Sequence, residues 1–511
     1  TTLLDVLRDT QRLLPENVVE VLVGEAFNRL DRPAQQVMQA LAIYGRPVPP
    51  VAVDFLLAPH VPGIDSAPLL NRLLNMQLVR KEGGRFYLHP IDRDYALGRV
   101  EEGEPGDCLD GVPRFSRYAL RHRGAEFFRQ ARKPRSDWKT LDDLFPQLAE
   151  FDLRFLNGDS QTAFAIVREI DFRYLMIWGH YRLMADMHLR LKGRLEDPRS
   201  RQQSCNSLGL ALENLGNYDE ASATYEEAIR LAREIGARNS EAVALSNQAI
   251  CHVRLGETAR AIQCNTQALE IVRALGDLPS TVSNLNNLAN RYADLGDNRQ
   301  SLLLYDEALP IARQFGNRYA EAVILESSGH VLLAMDRFAE ADTCYRGALR
   351  IADEINSVQV QNYAHSGLAL LALMACDLAA ARREAEAATH YAVPDNDHHV
   401  LSLLGIIRLR QGDTRAATEA FQESVKRCDR MLQLTTRNYA AMDSKAVAKC
   451  GLILCGADVP LGDVRGLLRA ARAINRDAGI VARLLRLLSA LAKSDRDNRL
   501  SAILQAAAGE P

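Results

Sequence analysis

The stretch LGNYDEASATYEEAI at residues 215–229 decides the fold, because similar stretches return at a fixed interval. Copies begin forty residues apart at residues 255, 295, 335 and 375, and a sixth begins thirty-six residues later at residue 411. Such self-similarity is the signature of a repeat protein, in which each unit packs against its neighbours. We therefore predict a solenoid of helix pairs over residues 201–437.

Three positions of every copy hold small side chains, and a fourth usually holds a large aromatic one. Small residues let neighbouring helices approach to about 8–10 Å, and spacings of three, four and seven place these positions on one helix face. We expect the aromatic ring to fill the gap between adjacent pairs. The small positions are Gly209, Ala249, Ala289, Gly329, Ala369 and Gly405; Ala221, Ala261, Ser301, Ala341, Ala381 and Ala417; and Ala228, Ala268, Ala308, Ala348, Ala388 and Ser424. The aromatic position holds Tyr225, Tyr305, Tyr345 and Phe421, with Asn265 and Ala385 as exceptions.

This pattern resembles the tetratricopeptide repeat, in the 40-residue form with a lengthened second helix that kinesin light chains and many bacterial signalling ATPases carry. The resemblance implies an all-α superhelical solenoid that binds other protein surfaces. The proline that usually closes the family's repeat is missing here. We therefore expect residues 228–242, AIRLAREIGARNSEA, to run on as helix.

Bulk composition excludes several classes of protein. A chain of 511 residues with a net charge of −3 should contain more than one core, and it has no overall charge that would draw it to nucleic acid or anionic lipid. No run of about 18 apolar residues is present, so we expect no membrane span. Nine scattered cysteines without a Cys-x-x-Cys pair favour reduced thiols and a cytoplasmic location.

Residues 25–100 follow a different pattern, which is typical of a winged helix preceding the array. We predict a helix entered through Asp31 and Pro33, a second helix near residues 51–57, a third from Ser66, and strands at residues 78–81 and 85–88 around Gly83 and Gly84. The third helix offers Asn71, Arg72, Asn75 and Gln77, and the wing offers Arg80, Lys81 and Arg85. These groups are few for a DNA reader, so we favour an internal packing module.

The order of winged helix, helical linker and repeat array resembles the sensor half of NB-ARC/STAND-class signalling ATPases. In that family the winged helix ends in a Met-His-Asp-like motif whose histidine contacts the β-phosphate of bound ADP. His89 matches that histidine, whereas Pro90 replaces the aspartate. The resemblance implies that His89 senses nucleotide; the alternative is that it only caps the hairpin. No G-x-x-x-x-G-K-[ST] motif occurs, so we expect no cofactor in this chain and ADP or ATP only in a longer, intact protein.

These patterns together predict the domain organisation. It comprises residues 1–24 as the tail of a missing nucleotide-binding module, 25–100 as a winged helix, 101–160 as a helical linker, 161–200 as a degenerate first repeat, 201–437 as tetratricopeptide repeats and 438–511 as a C-terminal helical cap. In the linker, residues 114–135 carry eight Lys or Arg and one Glu, for which we favour intramolecular contacts over nucleic acid. Residues 461–493 are amphipathic, with seven Arg or Lys and two Asp, and should cover the last repeat or bind a partner.

Asparagines concentrate at positions that should line the groove of the solenoid. An amide both donates and accepts hydrogen bonds, so a row of asparagines can pair with a peptide backbone; alternatively, they tie helices together. The predicted groove residues are Asn206, Asn247, Asn286, Asn287, Asn290, Glu326 and His330. We find no Ser-His-Asp or Cys-His arrangement and expect no catalytic residue. We interpret Asp395, Asp397, His398 and His399 as a helix start and not as a metal site.

The combined hypothesis is the sensor and regulatory region of a STAND-type NTPase, for which the resemblance implies antiviral or stress signalling. Its expected partners are a protein or peptide trigger, an NTPase domain in cis and further copies of the chain on activation, but not nucleic acid or membrane. One alternative is a winged-helix transcription regulator with a repeat domain for ligand or dimer contacts. Another is a passive repeat scaffold.

Overall fold

The computed structural model describes residues 15–108 and 112–508. Within these residues the chain forms 25 α-helices and one two-stranded hairpin, which confirms the all-α prediction. None of the described helices combines the length and apolar character that a membrane span requires. The chain divides into two compact units, residues 1–200 and 201–511. Most of the predicted tail at residues 1–24 lies outside the described residues.

The first unit is built from short helices around one hairpin. Its elements are α1 (Pro15–Asn28), α2 (Arg32–Tyr44), α3 (Pro50–Leu57), α4 (Ser66–Asn75), β1 (Arg80–Glu82), β2 (Arg85–Tyr87), α5 (Pro90–Gly98), α6 (Arg117–Gln130), α7 (Phe145–Leu156), α8 (Ser160–Ile170) and α9 (Tyr181–Leu191). A π-helical turn, Asp171–Met176, follows α8. The buried face of α2 lies at the centre of this unit's core.

Local chemistry explains where the first helices and strands begin. The Asp31 side chain accepts a hydrogen bond from the Ala34 amide at 3.0 Å and so caps α2. The first strand begins two residues later than the predicted 78–81. The reason is that the Leu78 amide donates to the Leu73 carbonyl at 3.0 Å and so belongs to the end of α4. The winged-helix interpretation of these elements stays a prediction.

The second unit is a series of antiparallel helix pairs followed by four further helices. The pairs are α10 (Pro198–Asn214) with α11 (Tyr218–Glu234), α12 (Arg238–Leu255) with α13 (Thr258–Ala274), α14 (Leu278–Leu295) with α15 (Asn298–Gln314), α16 (Arg318–Ala334) with α17 (Phe338–Ile355), α18 (Val358–Met374) with α19 (Leu378–His390), and α20 (Pro394–Arg410) with α21 (Thr414–Leu434). The further helices are α22 (Tyr439–Leu454), α23 (Leu461–Ile474), α24 (Ala478–Ala492) and α25 (Ser501–Ala508).

The expectation that residues 228–242 continue as helix is wrong. α11 ends at Glu234 and α12 begins at Arg238, with Gly236 between them at φ +66°. The Ala237 amide donates to the Ala232 carbonyl at 2.8 Å, which closes the end of α11. Glycine adopts this left-handed conformation at little cost, so it ends the helix without the proline that the family usually has.

The recurring small residues are buried, and the aromatic rings pack directly on them. Tyr225, Tyr305, Tyr345 and Phe421 are at most 1% exposed. A Cβ added at Gly405 would lie only 2.6 Å from the Phe421 ring, and on its other side the ring packs on Gly451 of α22. Each ring therefore needs a small neighbour on its own pair and, at Phe421, on the following helix as well.

Candidate functional site

Four of the seven predicted groove residues lie together on the inner face of the array, which the first helix of each pair forms. Asn287 and Asn290 on α14 and Glu326 and His330 on α16 line a cavity of about 630 Å³. The described wall of this cavity does not include the other three, which are partly buried on α10, α12 and α14: Asn206, Asn247 and Asn286.

Buried tyrosines hold two of these groove residues from behind. The Tyr305 hydroxyl donates to Asn290 Oδ1 at 2.6 Å. The Tyr345 hydroxyl lies 2.8 Å from His330 Nδ1, and His330 Nε2 lies 2.6 Å from Glu326 Oε1. The phenol bonds to Nδ1 and the Tyr345 ring meets the imidazole edge-on, with ring centroids 5.3 Å apart, so Tyr345 fixes the ring of His330. Tyr305 and Tyr345, at the aromatic position of the repeat, thus orient groove side chains in addition to filling the core. The sequence pattern did not indicate this second role.

The C-terminal helix α24 lies across the inner face of the array. Gly479, near its start, packs so closely on α14 that a Cβ there would collide with the Ala293 carbonyl oxygen. Asp477, just before the helix, accepts a hydrogen bond from the hydroxyl of Thr258, 219 residues earlier in the chain. Helices α22 to α25, which we call the C-terminal arm, therefore reach back over α13 and α14. The sequence predicted that they would cover only the last repeat.

Two arginines of α24 bind the C-terminal ends of inner helices. Arg483 Nη2 lies 2.5 Å from Oδ1 of Asp294 in the last turn of α14. Arg486 donates to the Leu333 carbonyl at 2.5 Å and to the Ala334 carbonyl at 3.2 Å, at the end of α16. The last carbonyls of a helix lack partners within the helix and carry partial negative charge, so a guanidinium group is favourable there.

An apolar face of α24, next to these arginines, anchors the helix in a core with α22, α23 and α25. Besides Ala490, its buried side chains are the five larger ones of Ile480, Leu484, Leu487, Leu488 and Leu491. Burial of each such side chain stabilises the fold by about 1.5–3 kcal/mol. Displacing α24 would expose all five, so the helix acts as a fixed wall of the groove.

A second cavity, of about 600 Å³, lies between α24 and the inner helices. Three guanidinium groups, those of Arg291, Arg483 and Arg486, and one carboxylate, that of Asp294, line this wall. Arg291 and Arg483 share Asp294, whereas Arg486 lies 3.5 Å from the carboxylate of Asp336 outside the wall, so one positive charge is left unbalanced. Further polar side chains of the wall supply donors and acceptors: Asn290, Ser327, His330, Ser366, Asn396, His398, His399 and Ser444. Asn290, His330 and Arg483 also belong to the first cavity, so the two adjoin.

The cavity wall perturbs the titration of its side chains. Burial, together with the neighbouring His398, His330 and Arg483, lowers the pKa of His399 to about 4, so His399 is neutral at pH 7. Burial works against the charge on Arg483, but the carboxylate of Asp294 outweighs it and raises the pKa of the guanidinium. The arginine is therefore charged at any physiological pH.

The acidic and histidine-rich start of α20 is a helix start that also reaches the cavity. Asp397 accepts a hydrogen bond from the Val393 amide at 2.9 Å and pairs with Arg427. His398 and His399 both line the second cavity, although they are adjacent in sequence. The described residues contain no group of three or more His, Cys, Asp or Glu that could hold a metal ion.

His89 lies at the start of α5 in the first unit. Its side chain is exposed and makes no capping hydrogen bond. Burial raises the pKa of the nearby Asp92, while the charges of His89 and Arg80 oppose that rise. The role of His89 as a nucleotide sensor stays a prediction.

The basic segment at residues 114–135 is neutralised within the first unit. Its ion pairs are Arg114–Glu101, Arg117–Glu102, Arg121–Glu102, Arg129–Glu126, Arg132–Glu150, Arg132–Glu169, Lys133–Asp143 and Arg135–Glu169. The remaining cation, Arg123, lies over the Phe55 ring and donates to the Phe55 carbonyl at 2.6 Å. On the third helix of the predicted winged helix, Arg72 pairs with Asp31 at 2.8 Å. These contacts favour an intramolecular role over phosphate binding.

Comparison with known proteins identifies the repeats. A family model described as Tetratricopeptide repeat matches residues 203–274 and 242–314. No curated protein sequence matches the chain.

Several solved structures are similar to the chain. One is a STAND protein with a tetratricopeptide repeat sensor from Pyrococcus horikoshii, with 17% identity, coverage of 92% of this chain and 67% of that one, and a TM-score of 0.45. Another is a Rap protein complexed with Competence and Sporulation Factor, at 18% identity, 74% and 93% coverage and a TM-score of 0.42. A third is aspartyl phosphate phosphatase F from Bacillus subtilis, at 12% identity, 73% and 97% coverage and a TM-score of 0.46. Likenesses this distant say nothing about ligand or activity. The second unit is a solenoid of tetratricopeptide-type repeats, a protein-interaction fold.

Proposed function

We propose that the chain is the sensor and regulatory region of a STAND-type NTPase, and that the inner face of its repeats recognises a protein or peptide trigger. One observation carries this proposal: polar groove side chains are displayed from a tetratricopeptide-type array and held in place by buried tyrosines, as Tyr305 holds Asn290 and Tyr345 holds His330. Side chains that are already ordered lose less conformational entropy on binding, so such a wall suits recognition.

In this proposal the chain binds and switches but does not catalyse. A trigger activates only if it binds the open state more tightly than the closed one, and a tenfold shift requires about 1.4 kcal/mol of difference. The NTPase domain in cis would supply ADP or ATP, and His89 would report the nucleotide to the repeats. Oligomerisation on activation, a cytoplasmic location and a role in antiviral defence belong to the same proposal.

The coding sequence upstream of Thr1 and the protein that it encodes test the NTPase part. We expect a G-x-x-x-x-G-K-[ST] motif there, because backbone amides and a lysine must hold the phosphates. In that longer protein, His89→Ala should speed the release of a fluorescent ADP analogue about tenfold, equivalent to about 1.4 kcal/mol.

The matched control is His390→Ala, which removes an exposed histidine of α19 in the second unit. It should leave ADP release unchanged. An upstream sequence without a phosphate-binding motif, or equal release rates for His89→Ala and the unsubstituted protein, would contradict the proposal.

A further inference from the structure

The second cavity, which we now call the cavity behind α24, differs from an open peptide groove because one of its walls is held in place. α24 is anchored by its apolar face, and Gly479 and Arg486 hold the helix on α14 and α16. A ligand must therefore fit the space that remains, about 600 Å³. This volume lies within the range of about 300–1,000 Å³ that small-molecule sites span.

The charge of the wall selects the chemistry of the ligand. Arg291 and Arg483 share the carboxylate of Asp294, at 3.0 Å and 2.5 Å respectively. Two cations on one anion leave one unbalanced positive charge, whereas Arg486 has a partner of its own in Asp336, at 3.5 Å. Arg483 contacts Asp294 through Nη2. About half of its side chain is exposed, and the residue lines both cavities. A guanidinium group has five N–H donors, so Arg483 retains capacity for a second oxyanion.

The remainder of the wall suits an organic body and not a bare ion. Asn290 and Ser444 can donate and accept hydrogen bonds, and His399 is neutral at pH 7 and can do the same. An adjoining pocket of about 270 Å³ shares Arg483 and His399 and is lined by apolar side chains that include Leu370, Val447 and Leu487. An anion with an apolar or hydrogen-bonding portion would use both regions.

We propose that the cavity behind α24 is a binding site for a small organic anion whose carboxylate or phosphate group pairs with Arg483. This site goes beyond the trigger groove proposed above, and it stands whether or not an NTPase domain is attached. It also gives α24 a function, which is to supply the cation and the fixed wall of the site.

The fluorescent anion 1-anilinonaphthalene-8-sulfonate, which brightens in enclosed apolar surroundings, is a suitable probe for the whole chain. We expect one probe to bind per folded chain. Arg483→Gln should weaken this binding at least tenfold because it removes the cation. Ala482→Phe should abolish it, because Ala482 is exposed and lines this cavity but not the first one, so a larger side chain would fill only this space. Competition by N-acetylglutamate or by AMP then distinguishes a carboxylate from a phosphate ligand.

The matched controls are Arg469→Gln and Ala470→Phe on α23, both at exposed positions of the same C-terminal arm. They should bind the probe as the unsubstituted chain does. Circular dichroism checks that each variant is folded, and if Arg483→Gln is not, Ala482→Phe decides alone. The proposal is wrong if the unsubstituted chain does not bind the probe. It is equally wrong if the cavity variants bind it as tightly as their controls, since the probe then sits elsewhere.

Discussion

At the scale of single residues, the packing of an aromatic ring on a glycine recurs in the array and leaves no room for a larger side chain. The Phe421 ring is fully buried between Gly405 of its own pair and Gly451 of the next helix. There is no spare volume on either face, because protein interiors are packed as densely as crystals. The repeat pattern therefore specifies a size limit at these positions as well as a preference for apolar residues.

Gly405→Ala tests this size limit. The new methyl group would lie 2.6 Å from the Phe421 ring, so we expect a loss of about 1–3 kcal/mol in the free energy of unfolding, measured with urea. Gly347→Ala in α17 is the control, since its Cβ would meet Leu325 of α16 at an ordinary 3.5 Å. Because alanine favours helix over glycine by about 1 kcal/mol, the control should be neutral or stabilising. If Gly405→Ala and Gly347→Ala changed the free energy of unfolding equally, the Phe421 ring would not press on Gly405.

His399 makes the stability of the second unit depend on pH. Its pKa is about 4 in the folded chain against an ordinary 6.5, so between these values the unfolded chain holds a proton that the folded chain lacks. Stability is complete above pH 6.5 and falls as the pH falls toward 4. As the pH falls through this window, the free energy of unfolding of His399→Gln should therefore rise relative to that of the unsubstituted chain by about 1.4 kcal/mol per pH unit.

Urea unfolding at pH 7, 6 and 5 measures this difference. Burial raises the pKa of Asp443 to about 6, which makes stability change with pH in the opposite direction. Asp443 is present in both proteins, so its effect cancels in the comparison. His390→Gln, at an exposed histidine, should run parallel to the unsubstituted chain. A pH-independent difference for His399→Gln would show that His399 is not held neutral.

At the scale of elements, local sequence determines most of what is observed, and its failures are instructive. The forty-residue period predicts the helix pairs because each repeat contacts mainly its neighbours. The end of α11 departs from the prediction because Gly236, in the left-handed conformation, ends a helix without a proline. The first strand starts late because Gln77, at φ +62°, extends the end of α4.

The position of α24 on the inner face of the array could not be predicted from the sequence. Its contact between Arg483 and Asp294 joins residues 189 apart, and no period connects them. The amphipathic pattern of residues 461–493 indicated a helix with one buried face, but it did not indicate which surface its arginines would meet. Sequence therefore predicted Asn290 and His330 in the groove but not Arg483, Arg486 or His399 in the same wall. Tyr305 was predicted as core, whereas its hydroxyl also orients a groove residue.

At the scale of the whole molecule, the central claim is that the C-terminal arm turns the inner face of the array into a cavity. Paired helices alone would leave a groove open along its length. With α24 seated on α14 and α16, part of that groove becomes a space of about 600 Å³ with a basic wall. The repeats thus provide the orienting polar groups, and the arm provides the charge and the closure.

An engineered disulfide between the C-terminal arm and the end of α14 tests directly whether α24 lies on the inner face of the array. A Cβ at Gly296 would lie 3.4 Å from Cβ of Ala478, close to the spacing of about 3.5–4.5 Å in disulfides. The control pairs Ala478→Cys with Gly276→Cys, a turn glycine with the same left-handed backbone and no atom within 4 Å of its Cβ. After mild oxidation, peptide mapping should find residues 296 and 478 linked in most molecules of the Gly296→Cys, Ala478→Cys protein. The control protein should show no link between residues 276 and 478. Unlinked thiols at 296 and 478, or equal linkage in both proteins, would contradict the placement of α24 on the inner face.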